Sequence, residues 1–519
     1  MSSPLSPADH SQLAALGISA AEAERQLALL ARGEAWTTLE RPCTRGDGIE
    51  VLDDATRERA LAAHAHAASE GRAQWFVPAS GAASRMFKEL MQVQAERRPD
   101  SPAELDAQAA SGKPEAKALR AFLDGLPRFA FREALAETLA QMTPGASLEA
   151  HARSGPFAPI LAALLDARAL DYANRPKGVL PFHREGAEIR TAFEAQLIEA
   201  GLVVRAASKR CCLHATVSPQ HRTLFEALLA QVRARVEARI EAPLEVRFSS
   251  QHPATDTLAA DADGQPFRDA DGHLTLRPAG HGALIANLAE CGADLVLIKN
   301  IDNVAHARVR EPSLEWARVL LGLAAETESR VQELVRRLDA SADAADEALA
   351  FVREVLNRPA VISGDAESRR RDARAALARP LRICGMVPNT GEPGGGPFWV
   401  RGRDGALSPQ IVESAQVNMR VPAQRAAFEA GTHFNPVFLA CGLRSATGQP
   451  YDLNAFVDPD AIILTRKSAG GRELRVLERP GLWNGAMAHW NTRFIEVPLE
   501  VFNPVKTVLD LLRPAHQPD

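Results

Sequence analysis

A short apolar run that leads into a loop of small residues marks this chain as an α/β protein. Residues 75–77 (Trp-Phe-Val) are followed by the loop 78–84 (Pro-Ala-Ser-Gly-Ala-Ala-Ser) and by a helical pattern with Met86, Leu90 and Val93 on one face. A strand, a small-residue loop and a helix form the opening unit of an α/β sheet. The sequence therefore predicts an α/β core that begins near residue 71.

The same alternation of strand and helix patterns returns after residue 200. Residues 213–217 and 246–249 predict strands, and four apolar residues between 224 and 236 recur at every fourth position, as on one helical face. Residues 294–299 form an apolar run that is typical of a buried strand. Several such units predict one sheet rather than separate helical and strand domains.

Changes in composition divide the chain into four predicted parts. Residues 1–70 are an Ala-rich, helical N-terminal segment with a loop at 41–48, and residues 71–310 are the α/β core with a helical insertion at about 97–170. Residues 311–380 are charged amphipathic helices, which predict an insertion or a lid-like element. Residues 381–519 mix short strands with Gly/Pro turns and are predicted to complete the core.

Charge and cysteine usage narrow the class of protein. The net charge of −5 argues against a nucleic-acid protein held by a broad basic surface. The six cysteines form no CxxC pair, which fits a reducing compartment. The N-terminus lacks the regions of a signal peptide, and no apolar run is long enough to span a bilayer. These features predict a soluble cytoplasmic protein.

The loop after the first strand is a candidate anion site. Ser80, Gly81, Ala82 and Ser84 are small, so their backbone N–H groups could approach an anion closely. A helix start behind the loop would add its positive dipole end, and Arg85 carries a charge suited to phosphate oxygens. The spacing is not that of a Walker A loop. A plain strand-to-helix turn is the alternative.

Two later loops have the residue types of a phosphate and nucleotide site. Lys177 stands between a proline and a glycine, so it could be held rigidly and aimed at a phosphate. Gly280, His281 and Gly282 permit tight backbone packing around a flat base or ribose. A solvated lysine and a helix-capping or core histidine are the alternatives.

Two further segments could bring charge to the same edge of the sheet. Asp302 follows the strand at 295–299, at the sheet edge where open α/β sheets bind ligands, and it could hold Mg²⁺. An Asx turn is the alternative. Lys506 follows an apolar strand at 494–497. The segments 391–399 and 481–487 could shape a pocket or be turns beside aromatic core residues.

The chain is identified as a member of a bacterial family, domain-of-unknown-function family 4301, on strings spread over nearly its whole length. This resemblance implies no particular reaction. The strings are FVPASGAASRMFK, KGVLPFH, RPAGHGALI, IKNIDNV, GEPGGGPFW, THFNP, LWNGAMAHWNT and FNPVKTVLDLL.

The order of the loops is also similar to that of the eukaryotic-type UDP-sugar pyrophosphorylases. Six elements correspond in order: 81–85, 176–178, 278–282, 302–303, 409–414 and 503–506. The chain departs from their pattern at Ser80 and Ala83, where glycine is preferred. It also has Ala283 where an aspartate often stands, and Ser414 in place of a tyrosine.

This second resemblance implies a fold and a reaction. The fold would be a three-layer, Rossmann-like mixed sheet of the GT-A-type nucleotide-sugar transferases, with helical insertions and a C-terminal α+β part. The protein would transfer a nucleotidyl group from an NTP, with UTP favoured, to a sugar 1-phosphate, and would release pyrophosphate. A non-catalytic protein that binds a sugar nucleotide or phosphometabolite, and an enzyme of another phosphate transfer, remain alternatives.

The resemblance also assigns site residues. The catalytic cations would be Arg85, Lys177 and Lys506, and Asp302 would bind Mg²⁺. The base, the sugar and the oligomeric state stay open. The nucleotide would lie on Ser80, Gly81, Ala82, Ser84, Gly280, His281 and Gly282, and the sugar would contact Glu413, Asn435 and Asn484.

Overall fold

The computed structural model of the chain describes residues 4–33, 35–208, 210–359, 364–391, 394–469 and 471–518. Within these ranges the α-helices are, in chain order, α1 (Pro7–Ala15), α2 (Ala20–Arg32), α3 (Asp54–Ser69), α4 (Lys88–Glu96), α5 (Pro102–Ala110), α6 (Pro114–Gly125), α7 (Arg132–Met142), α8 (Leu148–Ser154), α9 (Ala158–Leu165), α10 (Ala192–Val204), α11 (Arg222–Ile240), α12 (Ile285–Ala289), α13 (Glu311–Ala340), α14 (Ala345–Glu354), α15 (Ala366–Leu377) and α16 (Pro422–Glu429).

The strands of the same ranges alternate with these helices along the chain. They are β1 (Leu39–Pro42), β2 (Thr44–Arg45), β3 (Gly48–Glu50), β4 (Ala73–Pro78), β5 (Pro181–Glu185), β6 (Glu188–Thr191), β7 (Cys211–Thr216), β8 (Leu244–Ser249), β9 (Thr257–Ala260), β10 (Leu276–Arg277), β11 (Leu295–Lys299), β12 (Leu381–Pro388), β13 (Gly395–Arg401), β14 (Leu407–Glu413), β15 (His433–Phe434), β16 (Phe438–Gly442), β17 (Ile463–Ala469), β18 (Arg472–Glu478) and β19 (Asn491–Glu496).

A mixed sheet of ten strands forms the centre of the fold. Its main order is β2-β3-β19-β12-β16-β11-β4-β7-β8, with β15 paired to β12 off this path. Strand β16 runs antiparallel to both of its neighbours, β11 and β12, and the other pairs of the main order are parallel. The carboxyl ends of β4, β7, β11, β12 and β19 therefore meet at one edge of the sheet, where open α/β sheets bind ligands.

Alternating side chains of the buried strands reach two different packing layers. In β11, Leu295 and Leu297 pack in the large core under α10 and α13, whereas Val296 and Ile298 pack with Leu288 of α12 on the other face. This period of two is what a strand covered on both faces requires. The predicted α/β fold with a three-layer mixed sheet is confirmed.

The helical stretches at 97–170 and 311–380 occupy different places. Helices α5 to α9 lie in the first stretch, and α6 packs against the C-terminal turn Val508–Leu512. Helix α13 begins the second stretch and packs directly on β11, β12 and β16, so it is a layer of the core rather than a lid. Among the described residues no helix is both long and apolar enough to cross a membrane.

The N-terminal 70 residues contain strands as well as the predicted helices. Helices α1 and α2 pack on a small sheet of order β10-β9-β18-β17, while β1 pairs with β13 and β3 pairs with β19. The structure thus places β-strands in the loop predicted at 41–48. These strands are only two to four residues long, so they show no periodicity, and β1 and β3 pair with strands far along the chain. The division at residues 70, 310 and 380 stays a prediction.

Candidate functional site

A cleft of about 180 Å³ lies at the carboxyl edge of the central sheet. It collects the residues that follow β11, those that precede the antiparallel strand β16, and the loop after β19. Its lining consists of Asn300, Asp302, Asn303, Gly394, Gly395, Glu413, Phe434, Asn435, Pro436, Val437, Trp483, Phe502, Pro504 and Lys506. Four residues predicted for the site therefore line one cleft: Asp302, Glu413, Asn435 and Lys506.

Another predicted residue, Lys177, contacts two residues of the loops that form the cleft. Its ammonium donates hydrogen bonds to Asp302 Oδ2 at 2.8 Å and to the carbonyl of Val505 at 2.7 Å. The backbone N–H of Val505 in turn donates to the carbonyl of Asp302 at 3.1 Å. Lys177 thus fastens the loop after β11 to the loop that carries Lys506, and it sets a positive charge beside the carboxylate.

Lys506 lies against two aromatic rings of the cleft wall. Its ammonium is 5.7 Å from the ring centres of Phe434 and Phe502, and these two rings are 5.2 Å apart. Such cation–π contacts favour a defined position for the ammonium. The backbone N–H groups of Lys506 and Thr507 both donate to Asp510 Oδ2, at 2.8 and 2.6 Å. The loop around Lys506 is therefore held from both sides.

The opposite wall is built by Glu413 and Asn435 around Gly395. Glu413 pairs with Gly395 across β13 and β14, and burial raises the pKa of the Glu413 carboxyl. The N–H of Asn435 donates to the carbonyl of Gly395 at 2.8 Å, and Asn435 Oδ1 accepts from the N–H of Val437 at 3.1 Å. Val437 has a φ of 55°, a strained backbone for a β-branched residue, and such strain is concentrated at functional sites.

The Gly280-His281-Gly282 loop adjoins the cleft through Trp483. The imidazole of His281 stacks on the Trp483 ring at 4.1 Å between centres, and its Nδ1 accepts the N–H of Leu482 at 3.0 Å. Burial lowers the pKa of His281 to about 4, so the ring is neutral. A Cβ on Gly282 would lie 2.0 Å from the carbonyl oxygen of Pro480. The glycine is therefore required for packing within the protein.

The first loop lies beside Lys177 but differs from its prediction. Ser80, Gly81, Ala82, Ser84 and Arg85 are all exposed. The N–H of residue 83 donates to the carbonyl of residue 175, and a β-bridge joins residues 82 and 176. The cleft lining does not include Arg85.

The helix start that was predicted directly behind this loop is not there. A 3-10 turn, Ala83–Arg85, follows the loop, and α4 begins only at Lys88. The loop's N–H at residue 83 donates to the carbonyl of residue 175 and is therefore not directed at a ligand. The helix dipole expected to favour an anion at this loop is therefore displaced along the chain.

Asn484 lies behind the cleft wall. It is 3% exposed, and its Nδ2 donates to the carbonyl of Ile411 in the strand that carries Glu413, at 2.9 Å. Arg382, which the sequence did not single out, is fully buried beside it and donates to the carbonyl of Trp483 at 2.7 Å and to Gln410 Oε1 at 3.0 Å. Both side chains support the wall through backbone and amide oxygens.

No individual role was predicted for several residues of the lining, although Trp483 lies in the segment 481–487, which was expected to shape a pocket or to form turns. Asn300 and Asn303 flank Asp302 in the loop after β11, and Trp483, Phe434 and Phe502 contribute rings. The asparagines were visible as amides at a strand end, but the aromatic residues resembled ordinary core positions. The predicted loop at 391–399 includes residues 392 and 393, which lie outside the described residues.

Oxygen ligands for a divalent cation are present in this cleft. The Asp302 carboxylate lines it together with the amide side chains of Asn300 and Asn303, and Mg²⁺ prefers such oxygen ligands. Over the described ranges, one group of three acidic or histidine ligands lies close enough together to hold a metal: Asp269, Asp271 and His273, on an exposed turn. None of these three residues lines the cleft.

Comparison with known proteins gives a family and a set of similar structures. A family model described as "Domain of unknown function (DUF4301)" matches residues 6–517. No curated protein matches the sequence.

The similar solved structures include three pyrophosphorylases. The UDP-N-acetylglucosamine pyrophosphorylase from Trypanosoma brucei has a TM-score of 0.49 and 13% identity, over 98% of this chain and 79% of its own. A mutant UDP-glucose pyrophosphorylase from Leishmania major has a TM-score of 0.44 and 12% identity, over 98% and 79%. A putative UDP-N-acetylglucosamine pyrophosphorylase from Entamoeba histolytica has a TM-score of 0.42 and 9% identity, over 89% and 84%.

Proposed function

We propose that this chain, which belongs to the DUF4301 family, transfers a nucleotidyl group from an NTP to a sugar 1-phosphate and releases pyrophosphate. The convergence of Lys177, Asp302 and Lys506 at one cleft supports this proposal most strongly. These residues are far apart in sequence, and each was expected at the site from a different motif. The order of these motifs, which is similar to that of the UDP-sugar pyrophosphorylases, points to the same reaction.

The reaction requires position and charge rather than a protein nucleophile. An oxygen of the sugar 1-phosphate attacks the α-phosphorus of the NTP, and the bond between the α-phosphorus and the pyrophosphate oxygen breaks. Cations that stabilise the developing charge and hold the two phosphates in line supply the catalysis. In this proposal Lys506 neutralises the sugar phosphate, and Lys177 and Arg85 hold the phosphates of the NTP.

The sugar would occupy the cleft, and the nucleotide would lie on the loops beside it. The base and ribose would lie on the exposed first loop and on the Gly280–Gly282 segment, next to the Trp483 ring. Glu413 and Asn435 would contact sugar hydroxyls, because both are polar groups on the opposite wall. Asn484 would act by holding the strand that carries Glu413.

Asp302 is the residue that would hold Mg²⁺. A bound Mg²⁺ would offset the negative charge of the phosphates. The hydrogen bond from Lys177 to Asp302 Oδ2 keeps the Lys177 ammonium beside the Asp302 carboxylate before a ligand arrives. UTP is the favoured nucleotide in this proposal.

A thermal-shift screen followed by a pyrophosphate assay tests the function. UTP with Mg²⁺ is expected to raise the melting temperature, because a ligand that binds only the folded state stabilises it. Pyrophosphate release is then expected only when both UTP and a sugar 1-phosphate are present. A screen of the four NTPs in which none raises the melting temperature would contradict the proposal.

Non-catalytic binding of a sugar nucleotide is the second candidate, and the first loop favours it. Its backbone is bound to the protein at residues 82 and 83, and Arg85 does not line the cleft. Calorimetric binding of a UDP-sugar without pyrophosphate release from any substrate pair would select this candidate over the first.

A further inference from the structure

Three buried histidines meet behind the cleft, and each belongs to a different segment of the site. His183 follows the Lys177 loop, His306 follows Asp302, and His516 lies beyond Lys506; they are 1%, 7% and 2% exposed. The ring planes of His183 and His516 are nearly parallel with their centres 5.2 Å apart, and the ring of His306 lies edge-on to His183 at 6.0 Å. The motifs that carry the three predicted charges therefore also meet through these three rings.

The hydrogen bonds of the cluster fix how these rings are protonated. His306 Nδ1 accepts from the N–H of Arg308 at 3.2 Å, so its Nε2 carries the proton and donates to the carbonyl of Arg184 at 3.0 Å. Between His183 Nε2 and His516 Nδ1 the distance is 2.9 Å, and one of the two nitrogens must donate. Each ring can make these bonds only while the pair holds one proton between the two facing nitrogens.

His516 extends the cluster toward the cleft. Its ring lies beside the backbone of Asn503, an interaction that favours the protonated ring. The N–H of Asn503 donates to Asn303 Oδ1 at 2.8 Å, and Asn303 lines the cleft beside Asp302. The ring pair is therefore connected to the cleft lining through Asn503 and Asn303.

The surroundings of the two hydrogen-bonded rings favour the neutral form. Burial and the neighbouring His516, His306 and Arg310 hold the pKa of His183 well below its ordinary value. Burial lowers the pKa of His516 to about 4, and Arg513 and His306 act in the same direction, whereas Asp510 opposes them. The pair therefore keeps its hydrogen bond at neutral pH.

We propose that His183 and His516 are positioning residues that set the loop from Asn503 to Lys506 against Asp302 and Asn303. The hydrogen bond between the two rings joins the strand after Lys177 to the C-terminal segment. The contact of His516 with Asn503 then restricts the position of Asn503. The role of Lys506 in this inference rests on the proposed function. The structural part, that the ring pair orders the loop, does not.

Hydrogen exchange of the full chain without ligand tests the ordering. His183→Leu removes the partner of His516 Nδ1 and leaves it unpaired, whereas His183→Gln keeps an amide that can hydrogen-bond close to the place of Nε2. His183→Leu is expected to raise amide exchange in residues 503–510 about tenfold, because it leaves a buried polar nitrogen unpaired and so favours local opening. His183→Gln is expected to stay near the wild type, and so is His66→Leu, whose side chain is 75% exposed.

Unchanged exchange of residues 503–510 in His183→Leu would overturn the inference, and so would equal acceleration in His183→Leu and His183→Gln. If His183→Leu does not fold, His516→Gln serves instead; it keeps a donor toward Asn503 and lacks the ring acceptor, so the same acceleration is expected. If the exchange pattern holds and no substrate pair releases pyrophosphate, the proposed function fails and the positioning role stands. If the positioning role and the proposed function both hold, His183→Leu should raise the KM for the sugar phosphate about tenfold more than His183→Gln does.

Discussion

The ammonium of Lys177 donates a hydrogen bond to Asp302 Oδ2 at 2.8 Å, across 125 residues of sequence. The lysine lies on the turn before β5, and the aspartate follows β11 at the carboxyl edge of the sheet. The same ammonium reaches the carbonyl of Val505 at 2.7 Å, so one side chain connects three separate segments. Its removal should therefore affect the geometry of the whole cleft.

Lys177→Ala is expected to lower turnover far more than stability. In the proposed reaction it removes a cation from the phosphates, and the loss of one such group typically lowers kcat by roughly 100- to 1,000-fold. The unfolding free energy should fall by only about 1–2 kcal/mol, the effect of losing partly buried hydrogen bonds. Pyrophosphate release and urea denaturation measure the two effects.

Lys467→Ala is the matched control for this change, because Lys467 is exposed on β17. It should leave both quantities unchanged. Equal turnover in Lys177→Ala and the wild type would remove Lys177 from the proposed mechanism.

Asp302→Asn is expected to weaken the response to Mg²⁺. The amide keeps the size of the side chain but lacks the negative charge that Mg²⁺ prefers in its ligands. Turnover should fall on the order of a hundredfold, and the Mg²⁺ concentration for half-maximal activity should rise. Asp271→Asn, in the exposed group with Asp269 and His273, is the control and should behave as the wild type. A parallel loss in both variants would argue against a metal at Asp302.

Two glycines in the predicted nucleotide loops should respond differently to alanine. A Cβ on Gly282 would lie 2.0 Å from the carbonyl oxygen of Pro480, so Gly282→Ala should destabilise the protein by about 3 kcal/mol or more. Nothing lies within 4 Å of a Cβ on Gly81, so Gly81→Ala should change stability by less than about 0.5 kcal/mol.

Thermal melting with and without UTP separates the two roles of these glycines. If the first loop packs on the nucleotide, Gly81→Ala will keep the melting temperature of the free protein and lose part of the shift caused by UTP. A full UTP shift in Gly81→Ala would place the nucleotide away from this loop.

Acid should destabilise the fold through its buried neutral histidines. Burial lowers the pKa of His214, His281 and His516 to about 4 each, from about 6.5 in the unfolded chain. Between these two pKa values the unfolded chain binds more protons than the folded protein does. The contribution of the neutral histidines to the free energy of unfolding is therefore fully present above pH 6.5 and is lost as the pH falls toward 4. For His516 alone the full loss is roughly 3 kcal/mol, since one pKa unit corresponds to about 1.4 kcal/mol.

Urea denaturation at pH 7 and pH 5 measures the slope of the unfolding free energy against pH. His281→Asn should reduce it, because asparagine can accept the N–H of Leu482 in place of Nδ1 and does not titrate in this range. The exposed His66 is the control, and His66→Asn should leave the slope unchanged. A slope that is the same in the wild type and His281→Asn would show that His281 is already charged in the folded protein.

Much of the secondary structure and its arrangement in one sheet could be predicted from local patterns. The apolar run at 75–77 and the run at 294–299 became the adjacent parallel strands β4 and β11, because buried strands need apolar side chains on both faces. Strands β1 to β3 could not be predicted, since two to four residues show no periodicity and their pairing depends on β13 and β19.

The cleft brings together some of the residues that the sequence proposed for the site. Asp302 and Lys506 meet there because they follow the parallel strands β11 and β19, whose carboxyl ends lie at one edge, whereas Glu413 and Asn435 reach it from a second sheet and from the segment before the antiparallel strand β16. Trp483 lies in the segment 481–487, which was expected to shape a pocket or to form turns; no role was predicted for Phe434, because an aromatic residue in a cleft has the same sequence pattern as one in a core.

The sequence by itself determined the strand and helix patterns, the loops of small residues and the presence of lysines and an aspartate after strands. These properties follow from local sterics and from the alternation of apolar residues, which act over a few positions. Only the tertiary structure decided that Lys177 bonds Asp302, that the dipole of α4 begins beyond the first loop, and that His183 and His516 share a hydrogen bond. The two hydrogen bonds join residues 125 and 333 positions apart, and their geometry depends on how the whole sheet and its covering layers pack.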